Sequence, residues 1–345
     1  MTVGIPLLEV KDLTVVFSTP SGPLRAVDGV SFRLDRGEAL GVVGESGSGK
    51  SVTASALLSL HPVLSRVRVS GEARLDGTDL LTMREAALRR IRGRQIGYVF
   101  QDPLTALNPA MKVGAQLAET LRVHLGLDRS SARRRAVELL ELVGIPNAAG
   151  RLDDYPDEFS GGMRQRILIA AAVACEPKLL IADEATTALD PTVQAQILVL
   201  LGDLRRELGI AMMIISHDFG VVAATCDRVQ VMYAGQIVES GPVGRVLRSP
   251  RHPYTASLLR LAPRFEVNQH RRLRPIPDRA LTVIDERSGC RFAPRCELAL
   301  GHCGTQDPPW SAATTEKTHG AACWRDEDEV ADFALASAAE GGEPS

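Results

Sequence analysis

The amino-acid sequence predicts an α/β fold with a mostly parallel central sheet, and three observations predict it. The segment ALGVVGESGSGKSVTASALLSL passes from a short apolar strand through a glycine-rich turn into a helical pattern. Two later apolar runs, Lys178–Glu184 and Ile210–His217, end in polar residues, as central parallel strands do when functional groups follow them. Before all of these, residues 8–40 alternate between apolar and polar, which indicates a small antiparallel β layer.

Around that core the sequence divides into three parts. A first domain covers residues 1–263, and within it residues from about 102 to 163 carry the periodicity of a helical subdomain. A small extension at residues 264–325 follows and contains four of the six cysteines. The last part, residues 326–345, is rich in acidic and small residues, so we expect it to be disordered.

Composition excludes several classes of protein. With 45% hydrophobic and 24% charged residues, the 345-residue chain has the composition of a globular protein, not a disordered one. Its formal charge of −2 argues against a general nucleic-acid binder, because such proteins usually carry a basic excess. The longest strongly apolar run, Ile167–Cys175, is too short to cross a bilayer. We therefore expect a cytosolic chain that can dock on a membrane protein.

A phosphate-binding motif lies between the first apolar strand and its helix. The pattern G-x-x-x-x-G-K-[ST] is met by Gly44, Gly49, Lys50 and Ser51. Its glycines let backbone N–H groups converge on phosphate, and the following helix adds its positive end. We expect Lys50 to hold the β- and γ-phosphates of a nucleotide and Ser51 to ligate Mg²⁺. The residues expected to bind nucleotide here are Gly44, Ser46, Gly47, Ser48, Gly49, Lys50, Ser51 and Val52.

Two carboxylates end the next apolar strand. Asp183 and Glu184 would lie beside the phosphate loop, because the carboxyl ends of parallel strands meet at one edge of a sheet. We expect Asp183 to hold the hydrated Mg²⁺ and Glu184 to orient or deprotonate the attacking water. Acidic residues at strand ends are often merely solvated, but their pairing with a phosphate loop favours the functional interpretation.

Four more motifs occur in a characteristic order. They are YVFQDP with Gln101, FSGGMRQR with Ser160, Gly161 and Gly162, the triplet Ala188-Leu189-Asp190, and ISHD with His217. As a set they resemble the Q-loop, signature, D-loop and switch histidine of the ABC-type ATPases, and the resemblance covers about Leu8 to Pro263. It implies a phosphate-loop, RecA-like ATPase core with an antiparallel β layer and a helical subdomain. Met163 and Ala185 depart from the usual family pattern, but neither change removes a phosphate ligand or the base.

The resemblance also implies an arrangement in which two subunits sandwich two ATP molecules. A serine and two glycines at a helix start form an anion site, and the resemblance implies that this site faces the ATP of the opposing subunit. The residues assigned to that second side of the nucleotide are Ser160, Gly161, Gly162 and Asp190.

Three further roles follow from the same resemblance. His217 would contact the γ-phosphate and position water, and Gln101 would reach Mg²⁺; with Glu184 they form the expected catalytic set. Phe17 matches the position of the aromatic residue that stacks on adenine. A core phenylalanine explains that position almost as well, because one aromatic residue at a strand end is not diagnostic.

Three segments narrow the resemblance to one group of importers. QDPLTALNP (101–109), HPYTASLL (252–259) and GCRFAPRC (289–296) are similar to segments of ATPases from bacterial oligopeptide and dipeptide importers. The partners that this implies are a second, often non-identical ABC ATPase subunit, two transmembrane permease subunits and, through them, an extracytoplasmic peptide-binding protein. The chain would act at the cytoplasmic face of the membrane, with no nucleic-acid partner.

Two alternatives keep the nucleotide residues and change the task. Nickel, sugar and other solute importers use closely similar ATPases, so the cargo is open. A soluble ABC ATPase acting on nucleic acid or ribosomes is the other alternative, but such proteins usually need a tandem second ATPase domain or a long coiled coil, and neither is visible in the sequence.

The cysteines of the extension have the spacing C-x5-C-x6-C-x19-C. They are Cys290, Cys296, Cys303 and Cys323, and four thiolates are the right number for a [4Fe–4S] cluster or tetrahedral zinc. The spacing matches neither ferredoxin runs nor zinc knuckles. The importer ATPases that the chain resembles favour the cluster, while zinc and unmetallated thiols remain open.

Overall fold

The computed structural model describes residues 5–20, 22–61, 67–187, 189–261, 288–312 and 318–339. Two β-sheets and the helices packed on them confirm the predicted α/β class. No helix in these ranges is long and apolar enough to cross a membrane. The strands are β1 (Leu8–Thr19), β2 (Gly22–Leu34), β3 (Ala39–Val43), β4 (Val67–Leu75), β5 (Thr78–Asp79), β6 (Ile96–Val99), β7 (Leu179–Asp183), β8 (Ala211–Ser216), β9 (Arg228–Tyr233), β10 (Gln236–Pro242), β11 (Trp310–Ala312) and β12 (Gly320–Ala322). The helices are α1 (Lys50–Leu57), α2 (Glu85–Ile91), α3 (Pro103–Ala106), α4 (Val113–Leu125), α5 (Arg129–Leu142), α6 (Ala148–Arg151), α7 (Gly161–Val173), α8 (Pro191–Leu208), α9 (Phe219–Thr225), α10 (Val243–Arg248), α11 (Pro253–Leu261) and α12 (Glu327–Ala339).

The larger sheet has the strand order β11-β12-β10-β9-β3-β8-β7-β6, and its centre is parallel from β9 to β6. Strands β3, β7 and β8 are buried along their whole length, which explains their continuous apolar sequences. Alternate residues of β7 serve opposite sides of the sheet. Leu180 and Ala182 belong to one hydrophobic cluster, and Leu179 and Ile181 to another.

The smaller sheet is antiparallel, with the order β2-β1-β4-β5, and is the β layer that the sequence predicts. Its long strand β1 is inserted between β2 and β4, and Leu8, Val10 and Val15 on it are buried. These residues share one hydrophobic cluster with Leu57 of α1 and Ile181 of β7. The layer therefore holds the helix that follows the phosphate loop against the main sheet.

Helices α3 to α6 lie within the stretch for which we predict a helical subdomain. Leu117 and Leu121 of α4 are four residues apart and lie on one face of the helix. They share a core with Leu139 and Leu140 of α5 and with α7. The subdomain thus packs on the helix that carries the signature motif.

The cysteine-bearing extension does not stand apart from the first domain. Strand β12 pairs antiparallel with β10, and β11 pairs with β12, so the extension widens the main sheet at one edge. Behind this edge the rings of Tyr233, Tyr254 and Phe292 pack together, with centroids 4.6 to 5.3 Å apart. The aromatic contact joins β9, α11 and the extension in one core.

The acidic segment 326–345 is not disordered as we expected, because α12 occupies most of it. Val330 is fully buried, and the guanidinium carbon of Arg260 lies 4.5 Å from the ring centroid of Phe333. These two apolar residues, three apart, give the acidic helix one side that packs on α11. The expectation is therefore wrong for this helix, and residues 340–345 lie outside the described ranges.

Candidate functional site

Four neighbouring parallel strands bring the predicted residues to one edge of the main sheet. The order β3-β8-β7-β6 places four loops side by side at the carboxyl ends of these strands. The loops carry Gly44–Gly49 after β3, His217 after β8, Glu184 after β7 and Gln101 after β6. A crevice beyond the carboxyl ends of parallel strands is the usual ligand site of such sheets.

The phosphate loop depends on its glycines. At Gly44 an added Cβ would lie 2.1 Å from the carbonyl oxygen of Met232, and at Gly49 it would lie 2.4 Å from that of Ala26. Gly49 also has a φ of 102°, which a residue with a side chain rarely adopts. These two positions therefore let the loop approach β9 and β2 closely and turn sharply into α1.

Lys50 is buried at the start of α1, with only 4% of its surface exposed. Its Nζ donates to the carbonyl oxygens of Gly44 (2.8 Å) and Glu45 (2.9 Å) and lies 4.0 Å from Oε1 of Glu184. Burial lowers the pKa of Lys50, and the nearby Glu184, Asp183 and Glu45 partly offset this effect. The ammonium group is thus fixed inside the loop, where it can meet a phosphate oxygen.

The other predicted loop residues differ in exposure. Ser46 and Gly47 are exposed, whereas Ser48 is buried and its hydroxyl has no hydrogen-bond partner in the described structure. Val52, in the first turn of α1, is partly buried against the core. The exposed tip and the unpartnered hydroxyl leave the loop open for polar contacts with a ligand.

Asp183 is held by two hydroxyl groups. The Ser51 hydroxyl donates to Oδ1 and the Tyr98 hydroxyl donates to Oδ2, both at 2.8 Å. Burial nonetheless raises the pKa of Asp183 above its ordinary value, because these hydrogen bonds only partly offset desolvation. A carboxylate and a serine hydroxyl this close together are oxygen ligands of the kind that Mg²⁺ prefers, and a cation there would favour the ionised carboxylate.

Glu184 is the meeting point of the catalytic set that we predict. The side-chain amide of Gln101 donates to its Oε2 at 2.9 Å, and Nδ1 of His217 lies 3.9 Å from the same atom. The residue has a φ of 47°, in the left-handed region that favours glycine. Backbone strain of this kind is concentrated at functional sites. The structure therefore brings together Glu184, Gln101, His217 and Lys50.

The signature motif begins α7, as predicted. Ser160 is the N-cap residue, and its hydroxyl oxygen accepts a hydrogen bond from the backbone N–H of Met163 at 3.3 Å. Asp190 caps α8 in the same way, accepting from Thr192 and Val193. Ser160, Gly161 and Asp190 are exposed, and Gly162 is half-buried against α8. Ala188, which precedes Asp190 in the triplet Ala188-Leu189-Asp190, lies outside the described residues.

Phe17 lies in the β layer, where it pairs with Leu24 of β2 and Val67 of β4. Its side chain is partly buried against the core, and its ring meets that of His61 edge-on at 6.0 Å between centroids. The structure therefore gives Phe17 a packing role, and its predicted contact with adenine stays a prediction.

The four cysteines of the extension line one small cavity of about 20 Å³. Two of the sulfur atoms accept hydrogen bonds from backbone N–H groups: Cys303 from Leu300 at 3.3 Å and Cys323 from Arg325 at 3.4 Å. Burial raises the pKa of Cys296 to about 12 and that of Cys323 to about 11. Among the described residues, no group of three His, Cys, Asp or Glu side chains is arranged to hold a metal ion. The metal centre that we predict is therefore not shown.

Sequence reasoning missed two sets of contacts at the site. The first is Tyr98, whose hydroxyl bonds to Asp183. The second is Glu45 of the phosphate loop, which is bound by Tyr254 and Arg295. Tyr254 and Arg295 lie in HPYTASLL and GCRFAPRC, and no signal in the sequence connects either residue with the phosphate loop.

The similarity of this chain to known proteins agrees with the geometry of the site. Residues 27–187 match the family described as ABC transporter. Over 303 residues the chain is 50% identical to the oligopeptide transport ATP-binding protein OppD of Bacillus subtilis (strain 168), which covers 88% of this chain and 85% of that protein. The chain belongs to the ABC transporter family. As an ABC transporter ATPase it binds and hydrolyses ATP, as predicted.

Further relatives of this ABC transporter ATPase are also similar in sequence or structure. The OppD protein of Haemophilus influenzae is 48% identical over 298 residues, covering 86% of this chain and 91% of that protein. A dimeric ATP-binding cassette in a post-hydrolysis state, bound to ADP and Pi, is 26% identical with a TM-score of 0.61. That likeness covers 68% of this chain and 98% of the cassette. Residues 238–303 match the family described as Oligopeptide/dipeptide transporter, C-terminal region.

Proposed function

We propose that this ATPase powers the import of oligopeptides or dipeptides through a membrane permease. The observation that carries the proposal is the match of residues 238–303 to the C-terminal region of oligopeptide/dipeptide transporters. The proposed partners are two permease subunits, with an extracytoplasmic peptide-binding protein beyond them. The chain would then work at the cytoplasmic face of the membrane, with Asp102–Pro109 near the permease contact.

Within the site, each proposed role follows from a contact. Lys50 would hold the β- and γ-phosphates, and Glu184 would take a proton from the attacking water. Gln101 and His217 flank the Glu184 carboxylate and would orient it together with that water. A bound Mg²⁺ would neutralise phosphate charge, and Ser51, Asp183 and Gln101 would supply oxygen atoms to hold it.

The signature residues support a dimer in which each ATP contacts two subunits. Ser160, Gly161 and Asp190 are exposed at the starts of α7 and α8, and the first backbone N–H groups of α7 can meet an anion. In this proposal the second subunit is a homologous ABC ATPase, identical or not, and its phosphate loop holds the ATP that these residues contact.

Uptake by the assembled transporter tests the cargo. The full chain, reconstituted in proteoliposomes with its permease subunits and binding protein, is expected to import a radiolabelled tripeptide only with ATP inside. The transporter containing Glu184→Gln in this chain is the control and should import far less. Uptake of nickel or a sugar, but no peptide, would contradict the proposed cargo while leaving the ATPase in place.

We further propose that the four cysteines hold a [4Fe–4S] cluster, with zinc as the alternative. Two features support it: all four side chains line one cavity, and the sulfur atoms of Cys303 and Cys323 each accept a hydrogen bond from a backbone N–H, a contact that favours thiolate over thiol. Such a group would supply a covalent link between Cys290, Cys296, Cys303 and Cys323, and so order the extension.

Anaerobic purification tests this cofactor. We expect a brown protein with about four irons per chain, the content of one cubane cluster. Cys296→Ser should lose the visible absorption, whereas Cys175→Ser, which changes a cysteine of the main core, should keep it. A colourless protein with one zinc would support the alternative, and a folded protein without metal would contradict both.

A further inference from the structure

The cysteine-bearing extension touches the phosphate loop at one residue, Glu45. The guanidinium group of Arg295 donates to both carboxylate oxygens of Glu45, at 2.8 and 2.9 Å. The two residues are 250 positions apart in the sequence, and only 7% of the Arg295 side chain is exposed. A two-pronged arginine–carboxylate contact of this kind fixes orientation as well as charge.

Glu45 is also fixed through its backbone. Its N–H donates to the hydroxyl of Tyr254 at 2.9 Å, and its carbonyl oxygen accepts from Nζ of Lys50 at 2.9 Å. Residues of the extension and of α11 therefore both bind Glu45, which adjoins Gly44. Because the same residue contacts Lys50, a change in its position would move the group expected to meet phosphate.

Charge gives Arg295 a second effect. Glu45 places a carboxylate in the loop that receives the triphosphate, and an unpaired negative charge there would repel the nucleotide. Arg295 neutralises this carboxylate, and the hydrogen bond to Glu45 raises the pKa of Arg295. The Tyr233 hydroxyl, 3.2 Å away, accepts a further hydrogen bond from the guanidinium group and helps to hold it.

We propose that Arg295 is a positioning residue for ATP binding, which neutralises Glu45 and holds the phosphate loop in its binding conformation. The residue ends the turn Ala293–Arg295 between Cys290 and Cys296. The extension would thereby set the nucleotide affinity of the core. The proposal concerns ATP binding, which belongs to the family activity, and does not depend on the cargo or on a bound metal.

Titration of the purified full chain with a fluorescent ATP analogue tests the proposal. We expect Arg295→Ala to raise the dissociation constant about tenfold. Adding Glu45→Gln, which removes the unpaired charge, should restore it to within about threefold of wild type. A purely structural loss would not be rescued in this way. The matched control is Arg291→Ala, which removes another arginine–carboxylate pair of the extension, with Asp28 outside the loop, and should leave the constant unchanged.

Three outcomes would overturn the proposal. They are unchanged affinity in Arg295→Ala, no rescue by Glu45→Gln, and an equal loss in Arg291→Ala. Thermal denaturation shows whether each variant folds; if Arg295→Ala does not, Arg295→Gln keeps a long polar side chain without the charge and carries the same expectations. Failure of the wild-type chain to bind the analogue would instead contradict the assignment of the phosphate loop.

Discussion

At the scale of single residues, one carboxylate connects the groups expected to act on ATP. Glu184 lies within 4.0 Å of Lys50, Gln101 and His217, although each of the four residues follows a different strand. Its left-handed backbone conformation costs free energy that an ordinary surface glutamate would not require. The position is therefore explained better by chemistry than by stability.

Glu184→Gln should keep ATP binding and lower hydrolysis by about 10²–10⁴-fold, because the amide cannot take the proton of the attacking water. Phosphate release and nucleotide binding, measured on the same preparation, separate these effects. Glu207→Gln changes an exposed glutamate of α8 and should leave both unchanged. Native turnover by Glu184→Gln would show that another group is the base.

Asp183→Asn should raise the melting temperature of the nucleotide-free chain at pH 7 and reduce ATP hydrolysis. Burial raises the pKa of Asp183 above its ordinary value of 3.8, so ionisation of this residue opposes folding. The stabilisation should shrink as the pH falls to 3.8 and below, where the carboxyl is protonated even in the unfolded chain. Melting curves across this pH range check the sign, with Asp203→Asn, on the exposed side of α8, as the control. A lower melting temperature for Asp183→Asn at pH 7 would contradict the argument.

At the scale of elements, the start of α7 packs closely on the start of α8. A Cβ added at Gly162 would lie 2.6 Å from Cγ1 of Val193, whereas one added at Gly161 would meet only Leu189, at 3.9 Å. Both glycines belong to the signature motif and lie in the first turn of the helix. Because only Gly162 is crowded, comparing substitutions at the two positions isolates the effect of helix packing on stability.

Gly162→Ala should destabilise the chain by about 1–3 kcal/mol, because its methyl group must push α7 away from Val193. Gly161→Ala is the matched control and should be neutral or slightly stabilising, since alanine favours helix and the space is open. Thermal or urea denaturation of both variants provides the comparison. Equal stability of the two variants would mean that the α7–α8 contact yields without cost.

At the scale of the whole molecule, a buried carboxylate on β10 fastens the extension to the main sheet. Glu239 is fully buried and accepts hydrogen bonds from the backbone N–H groups of Arg251 and His252, both at 2.9 Å. Its Oε1 also lies 2.8 Å from Nε2 of His319 in the extension. One side chain thus connects β10, the start of α11 and the strand β12 that follows His319.

Glu239→Ala should lower the free energy of unfolding by about 3–5 kcal/mol, because it leaves buried donors without an acceptor. The extension should loosen first, so its four thiols should react faster with a thiol reagent below the melting temperature. Glu297→Ala changes an exposed residue that lies 3.8 Å from Arg260 and should cost less than about 0.5 kcal/mol. Unchanged thiol reactivity in Glu239→Ala would show that other contacts hold the extension on the main sheet.

Features that are local in the chain were predictable from the sequence. The strand, glycine-rich turn and helix around Lys50 are contiguous, and backbone geometry leaves such a motif few alternatives. The continuous apolar runs identified β7 and β8 because strands buried on both faces need them. The family resemblance then supplied the expected roles of Gln101 and His217, which the structure brings to Glu184.

Contacts between distant parts of the chain become visible only in the folded molecule. No sequence pattern connects Arg295 with Glu45, since the two lie 250 residues apart. It also predicted disorder for an acidic segment that is helical, because composition does not reveal that Val330 finds a buried site. Such contacts depend on which surfaces the folded chain brings together, and burial there outweighs local propensity.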